Sequence, residues 1–205
     1  MDDSVRDAAA ALIDEGSCSK TAITRTLRKF GNAALRYALQ RGIRIVPLIR
    51  GERYQQRSGA LRRLGVDVDA WPAPPAGLFV VEERTVYLRS HSPMTVAHEF
   101  GHALDCALGD GVYRSSIDPQ LRTLFADAQS YITPYAATGL DEYFAEGVRA
   151  YVQINDPASF WPRATRERLR RIDPGMYGYV EQLFQTAFIV APSNAADSTD
   201  HALRQ

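Results

Sequence analysis

The stretch from Ser92 to Gly109, "SPMTVAHEFGHALDCALG", restricts the possible folds of this chain more than any other. Ser92 carries the short oxygen-bearing side chain favoured at a helix N-cap, and Pro93 suits the first helical position because its missing N–H has no intrahelical partner there. Gly109 is a natural stop. Between them Val96, Ala97, Phe100, Ala103, Leu104, Ala107 and Leu108 recur at helical spacing, while His98, Glu99, His102 and Asp105 collect on the other side. A helix of this kind must press one side into a core and leave the other lining a cleft. Gly101 lies in its interior at a cost of about 1 kcal/mol relative to alanine. That cost makes sense if another backbone or a substrate crosses closely there.

The polar side has the makings of a metal site. Zinc takes nitrogen, sulfur or oxygen ligands in a tetrahedral array, and a catalytic zinc keeps one position for water. Histidines at i and i+4 stand over one turn, within reach of a single ion. Glu99 is one residue round from His98, poorly aimed to ligate but well placed to take a proton from an activated water. The plain alternative is a surface helix bearing two histidines, so a third ligand has to decide.

The stretch "PYAATGLDEYFAEGVRAYV", Pro134 to Val152, offers that ligand. Thr138 with Asp141 has the form of a capping box, predicting a helix that opens just before Glu142. Leu140, Tyr143, Phe144, Gly147 and Tyr151 form its packing side. Glu142 and Glu146, again i and i+4, stand together on the other. One of them can complete a His, His, Glu site, and the other can accept a hydrogen bond from a ligating imidazole and fix its tautomer. A solvated polar face shared with Arg149 and Gln153 is the alternative.

The rest of the chain sets boundaries. At 205 residues with 45% hydrophobic content, it reads as one globular domain with a real core. Residues 4–15 and 21–41 read as helices punctuated by Gly16 and Gly31, and "IRIVPLI" (43–49) as a short strand that Pro47 restricts to an edge or an end. "WPAPPAG" (71–77) is a loop. Leu78–Val81 and Thr85–Arg89 then form a hairpin, with Val86 and Leu88 facing one side and Thr85, Tyr87 and Arg89 the other. The expected divisions are a helical basic region at 1–70 packed on the same domain, a core at 71–190 and a frayed tail at 191–205.

Formal net charge is zero, yet twelve Lys and Arg residues face a single acid, Glu52, between Lys20 and Arg63. From Met94 to Phe160, nine acids oppose three arginines. The imbalance suits internal complementarity or a solvated face first, and a nucleic-acid, acidic-partner or membrane surface second. Cys18 and Cys106 make neither a disulfide framework nor a cysteine zinc cluster. The acidic opening "MDDSVRDAAAALIDEG" is unlike a secretory signal, which leaves a cytoplasmic protein or one exported by a leaderless route. His91, before the helix cap, and His201, in the tail, are not expected as ligands.

With those residues identified, "HEFGHALD" followed by "Y-x6-EYFAE-x2-R" closely resembles the catalytic domain of anthrax lethal factor and its relatives, including secreted Pro-Pro endopeptidases. The resemblance spans about Leu78 to Phe188. It implies an α+β, zincin-like metallopeptidase domain: a small mixed sheet with an edge strand over the HExxH helix, and a mostly helical C-terminal half. By the same resemblance one zinc ion would be held by His98, His102 and Glu142. Glu99 would be the general base, Glu146 would support a ligand, and Tyr135 would stabilise the oxyanion. A peptide is expected to pair with the Thr85–Arg89 strand, through Thr85, Tyr87 and Arg89. The resemblance would make the chain a zinc metalloendopeptidase, with a secreted effector or toxin as one setting. A repressor-cleaving peptidase with DNA-binding helices at 17–41, or a non-catalytic interaction domain, are the competing readings.

Overall fold

The computed structural model describes residues 7–15, 19–159 and 161–188. Gly16, Cys18, His201 and the expected tail at 191–205 lie outside the described residues. The fold is α+β: helices surround one three-stranded sheet. Strands β1 (Arg44–Pro47), β2 (Gly77–Val80) and β3 (Thr85–Leu88) lie in the order β1-β3-β2, with β1 parallel and β2 antiparallel to β3. Pro47 is the last residue of an edge strand, where a missing N–H leaves no gap in the ladder. Between β2 and β3 a 3-10 turn at Val81–Glu83 ends on Arg84 with φ 49 and ψ 38, a left-handed residue that reverses the chain.

Both faces of the sheet are covered. Phe79, Val86, Leu88 and Ile45 belong to a large cluster that runs from Ala8 to Phe188 in sequence. Val46, Leu48, Val80 and Tyr87 face a smaller one with Tyr54, Leu61 and Val68. The alternation expected in β3 is therefore present, and both of its faces are buried. This corrects the strand proposed for peptide pairing. β3 is central, its backbone groups are occupied on both sides by β1 and β2, and the free edge next to the cleft belongs to β2.

The motif helix spans Pro93–Leu108 and follows its sequence signals closely. Ser92 Oγ accepts from Thr95 N at 3.2 Å, and Gly109 is the C-cap. Its apolar stripe enters the large cluster, where Phe100 meets Phe30 edge to face at 4.8 Å. Phe30 ends a turn between helices Lys20–Leu27 and Asn32–Gln40, whose inner residues Ile23, Leu27, Ala34, Leu35 and Ala38 pack into the same cluster. Farther upstream, of the described residues 7–15 in the expected 4–15 helix, Ala8–Ala11 are helical.

The second motif forms a helix at Leu140–Tyr151, but the expected capping box is absent. Gly139 is the N-cap, and Thr138 Oγ1 instead donates to Tyr135 O at 2.7 Å, closing the preceding turn. The two motif helices cross at Gly101. A Cβ placed there would stand 2.9 Å from Ala145 Cα and 3.2 Å from Ala145 O. Glycine is present because a backbone, not a substrate, passes at that point. The close crossing brings the polar sides of both helices together.

Candidate metal centre and cleft

At the crossing, three side-chain atoms converge. His98 Nε2 lies 3.1 Å from His102 Nε2 and 3.0 Å from Glu142 Oε2, and His102 Nε2 lies 3.4 Å from the same oxygen. A tetrahedral ion with bonds of about 2.0–2.1 Å holds its ligand atoms roughly 3.3 Å apart. The observed triangle has that size. Glu142 Oε2 is buried and has no partner in hydrogen-bonding geometry despite its two close nitrogens. Lone pairs aimed at one point without a proper hydrogen bond are what a cation would satisfy. His98, His102 and Glu142 thus form a donor set that fits a divalent metal.

Electrostatics point the same way. Burial opposes the charged form of His98, yet the neighbouring carboxylates of Glu142 and Glu146 outweigh it and raise the group to about 10. Burial likewise pushes Glu142 up, and the two imidazoles more than offset this, leaving it at about 2. Without an ion a proton on His98 balances the carboxylates, and a divalent ion bound there would displace that proton.

His98 is held from behind. Its Nδ1 lies 3.0 Å from Glu146 Oε1, which fixes the ring so that Nε2 faces the triangle. Glu146 is itself clamped by Arg149, whose Nε and Nη2 donate to its two oxygens at 2.8 and 2.7 Å. Thr133 Oγ1 donates to Glu146 Oε2 at 2.6 Å and accepts from Ala136 N at 3.2 Å. Burial works against the Glu146 carboxylate, but Arg149 and His98 hold it well below the usual range. His102 has no equivalent: its Nδ1 is buried without a partner among the described groups.

Arg149, which the sequence offered as part of a solvated polar face, is instead buried against Glu146, and Thr133 was given no part at all. Arg149 was detectable as a cation three residues after Glu146 on one helix. Thr133 offered no signal, because its link to Glu146 depends on how the 133–137 turn packs.

The remaining candidates take definite positions. Glu99 is buried beside His98 in the wall of a cavity of about 350 Å³, whose lining also includes Ala76, Gly77, Met94, Tyr135 and Trp161. Burial raises Glu99 above an ordinary carboxylate, with the charges of His98 and His102 opposing. Tyr135 sits in a 3-10 turn, 43% exposed, its ring centroid 5.3 Å from that of His98. Burial and the negative charge of Glu142 push its phenol up, keeping it a protonated donor at neutral pH. Trp161 packs edge-on to Tyr135 at 6.5 Å and is 44% exposed, a cleft residue that no spacing rule indicated.

Thr85, Tyr87 and Arg89 are elsewhere. Thr85 Oγ1 donates to Glu83 O and Tyr87 OH to Glu83 Oε2, each at 2.7 Å, while Arg89 pairs with Asp69. Asp105, on the polar side of the motif helix, is taken up by Ser115, whose N and Oγ donate to it at 2.8 and 2.5 Å. Part of the basic region is neutralised internally, by Arg28–Asp7, Arg41–Asp110, Arg53–Asp67 and Arg57–Asp14 pairs. Among the described residues no helix is long and apolar enough to cross a membrane.

No family model matches the chain, and no curated protein matches it. Among solved structures, the Pro-Pro endopeptidase PPEP-2 from Paenibacillus alvei is similar in fold, with a TM-score of 0.60 at 20% sequence identity. The match covers 86% of this chain and 99% of that one. The chain therefore shares its overall fold with that structure at low sequence identity.

Proposed function

We propose that this protein is a zinc-dependent metalloendopeptidase. The observation that carries the reading is the triangle of His98 Nε2, His102 Nε2 and Glu142 Oε2, with edges of 3.0 to 3.4 Å. The fold shared with an endopeptidase supports it. Zinc held by these three residues would supply Lewis acidity, polarising the scissile carbonyl and acidifying a water.

The chain's own residues do the rest. A peptide adds as a strand to the free edge of β2, Gly77–Val80, which fixes its main chain across the mouth of the cleft. Glu99 takes the proton of the attacking water and later delivers it to the leaving amine. The raised affinity of its buried carboxyl for a proton suits that exchange. Tyr135 donates a hydrogen bond to the oxygen on which negative charge develops. Glu146, clamped by Arg149 and Thr133, holds His98 in the tautomer that presents Nε2.

Elemental analysis of the purified protein combined with a peptide-library cleavage profile tests the reading. One zinc per chain and discrete internal cleavage are expected. A zinc-loaded protein that cuts no peptide in a library including Pro-Pro bonds would overturn it.

A further inference from the structure

Resting on that reading of Glu99, we propose that Gly77 is a positioning residue for the general base: its missing side chain leaves the space in which the Glu99 carboxylate stands. A Cβ built on Gly77 would lie 2.5 Å from Glu99 Cγ and 3.0 Å from both Cδ and Oε1. Real Cβ atoms do not approach that closely, and Cγ sits in the middle of a buried side chain rather than at a free tip.

Other reasons for a glycine fail here. Gly77 is the first residue of β2, paired with Leu88 of β3. Its φ lies outside the positive range, so alanine could adopt its backbone without strain. Glycine within a strand weakens it and commonly marks a close approach by another group. Here the approaching group is Glu99.

The same strand borders the carboxylate, and the Phe79 backbone favours its charged form. β2 therefore acts as a seat. Gly77 gives clearance, and the helix carrying Glu99 cannot retreat because Gly101 is already against Ala145. Adding one methyl group at Gly77 pushes Glu99 away from where a water would be deprotonated, while the three metal ligands stay in place.

The test combines kinetics with a double-mutant cycle between Gly77→Ala and Glu99→Ala. Gly77→Ala is expected to lower kcat on a cleaved peptide by about 100-fold, the usual scale for a misplaced catalytic group. KM and zinc stoichiometry should remain as in the unsubstituted protein. A KM rise with kcat retained would place Gly77 in substrate contact and overturn the proposal.

Thermal unfolding supplies a readout independent of activity. Gly77→Ala is expected to lower Tm by several degrees with Glu99 present, and by almost nothing with Glu99→Ala, where the side chain it meets has been removed. Equal Tm losses in both backgrounds would overturn the proposal even if no peptide were ever found to be cut. Should Gly77→Ala be insoluble, recovery of soluble protein in the double variant supports the seat, and failure of both variants sinks it.

Discussion

The cleft has a helical wall and a sheet wall, and they are specified differently. On the helical wall, His98, His102, Glu142 and Glu146 fall into register because each pair is four residues apart on one helix, and two helices meet where Gly101 admits Ala145. On the sheet wall, the strand beside the cleft depends on which of β2 and β3 lies outermost. Nothing in the hairpin sequence sets that order. It is decided by β1, which arrives from more than thirty residues upstream and pairs parallel with β3, covering its other edge. Local periodicity fixes the first wall, and long-range pairing fixes the second.

The largest expected effect is on the joint product of both walls. Glu99→Gln keeps the size of the side chain but removes its basicity, and should reduce turnover by about 1,000-fold or more with zinc stoichiometry unchanged. Retained cleavage would break the assignment of the base.

Next is the interior of the helical wall. Arg149→Met leaves the Glu146 carboxylate buried without its bidentate partner, and loss of one member of a buried pair costs about 3–5 kcal/mol. Chemical denaturation measures this, and zinc affinity should fall about 10- to 100-fold as His98 loses its orientation. Zinc itself, at one hundred times its dissociation constant, should stabilise the protein by about 2.7 kcal/mol. This would be read as a rise in Tm that a chelator reverses.

Gly101→Ala drives a methyl group against Ala145 and should cost about 1–3 kcal/mol, with zinc affinity weakened alongside, because the crossing sets the distance from Glu142 to the histidines. The smallest effect sharpens the contrast from the sheet side. Tyr87→Phe on β3 removes a hydrogen bond to Glu83 and should cost about 1 kcal/mol of stability by thermal melts, with kcat and KM both unchanged. A catalytic defect there would restore β3 as a substrate strand.

How much could be read in advance varies by residue. Ser92, Pro93 and the Val96 to Leu108 stripe announced the motif helix, since capping and amphipathic spacing are local. Gly101 announced a close approach without naming its partner. Thr138 misled, because a hydroxyl that can cap a following helix can equally bond back to the turn before it, as it does to Tyr135 O. Trp161 and Thr133 were silent. Each matters through a neighbour distant in sequence, Tyr135 in one case and Glu146 in the other.

Taken alone, the sequence determined which side chains share a helix face and therefore which donors could act together, because 3.6 residues per turn is a property of the backbone itself. Tertiary structure decided which strand borders the cleft, that Arg149 is buried against Glu146, and that Glu99 rests where Gly77 has no side chain. Those outcomes depend on packing between segments far apart in the chain, where excluded volume and the pairing of buried charges select one arrangement among many that local pattern permits.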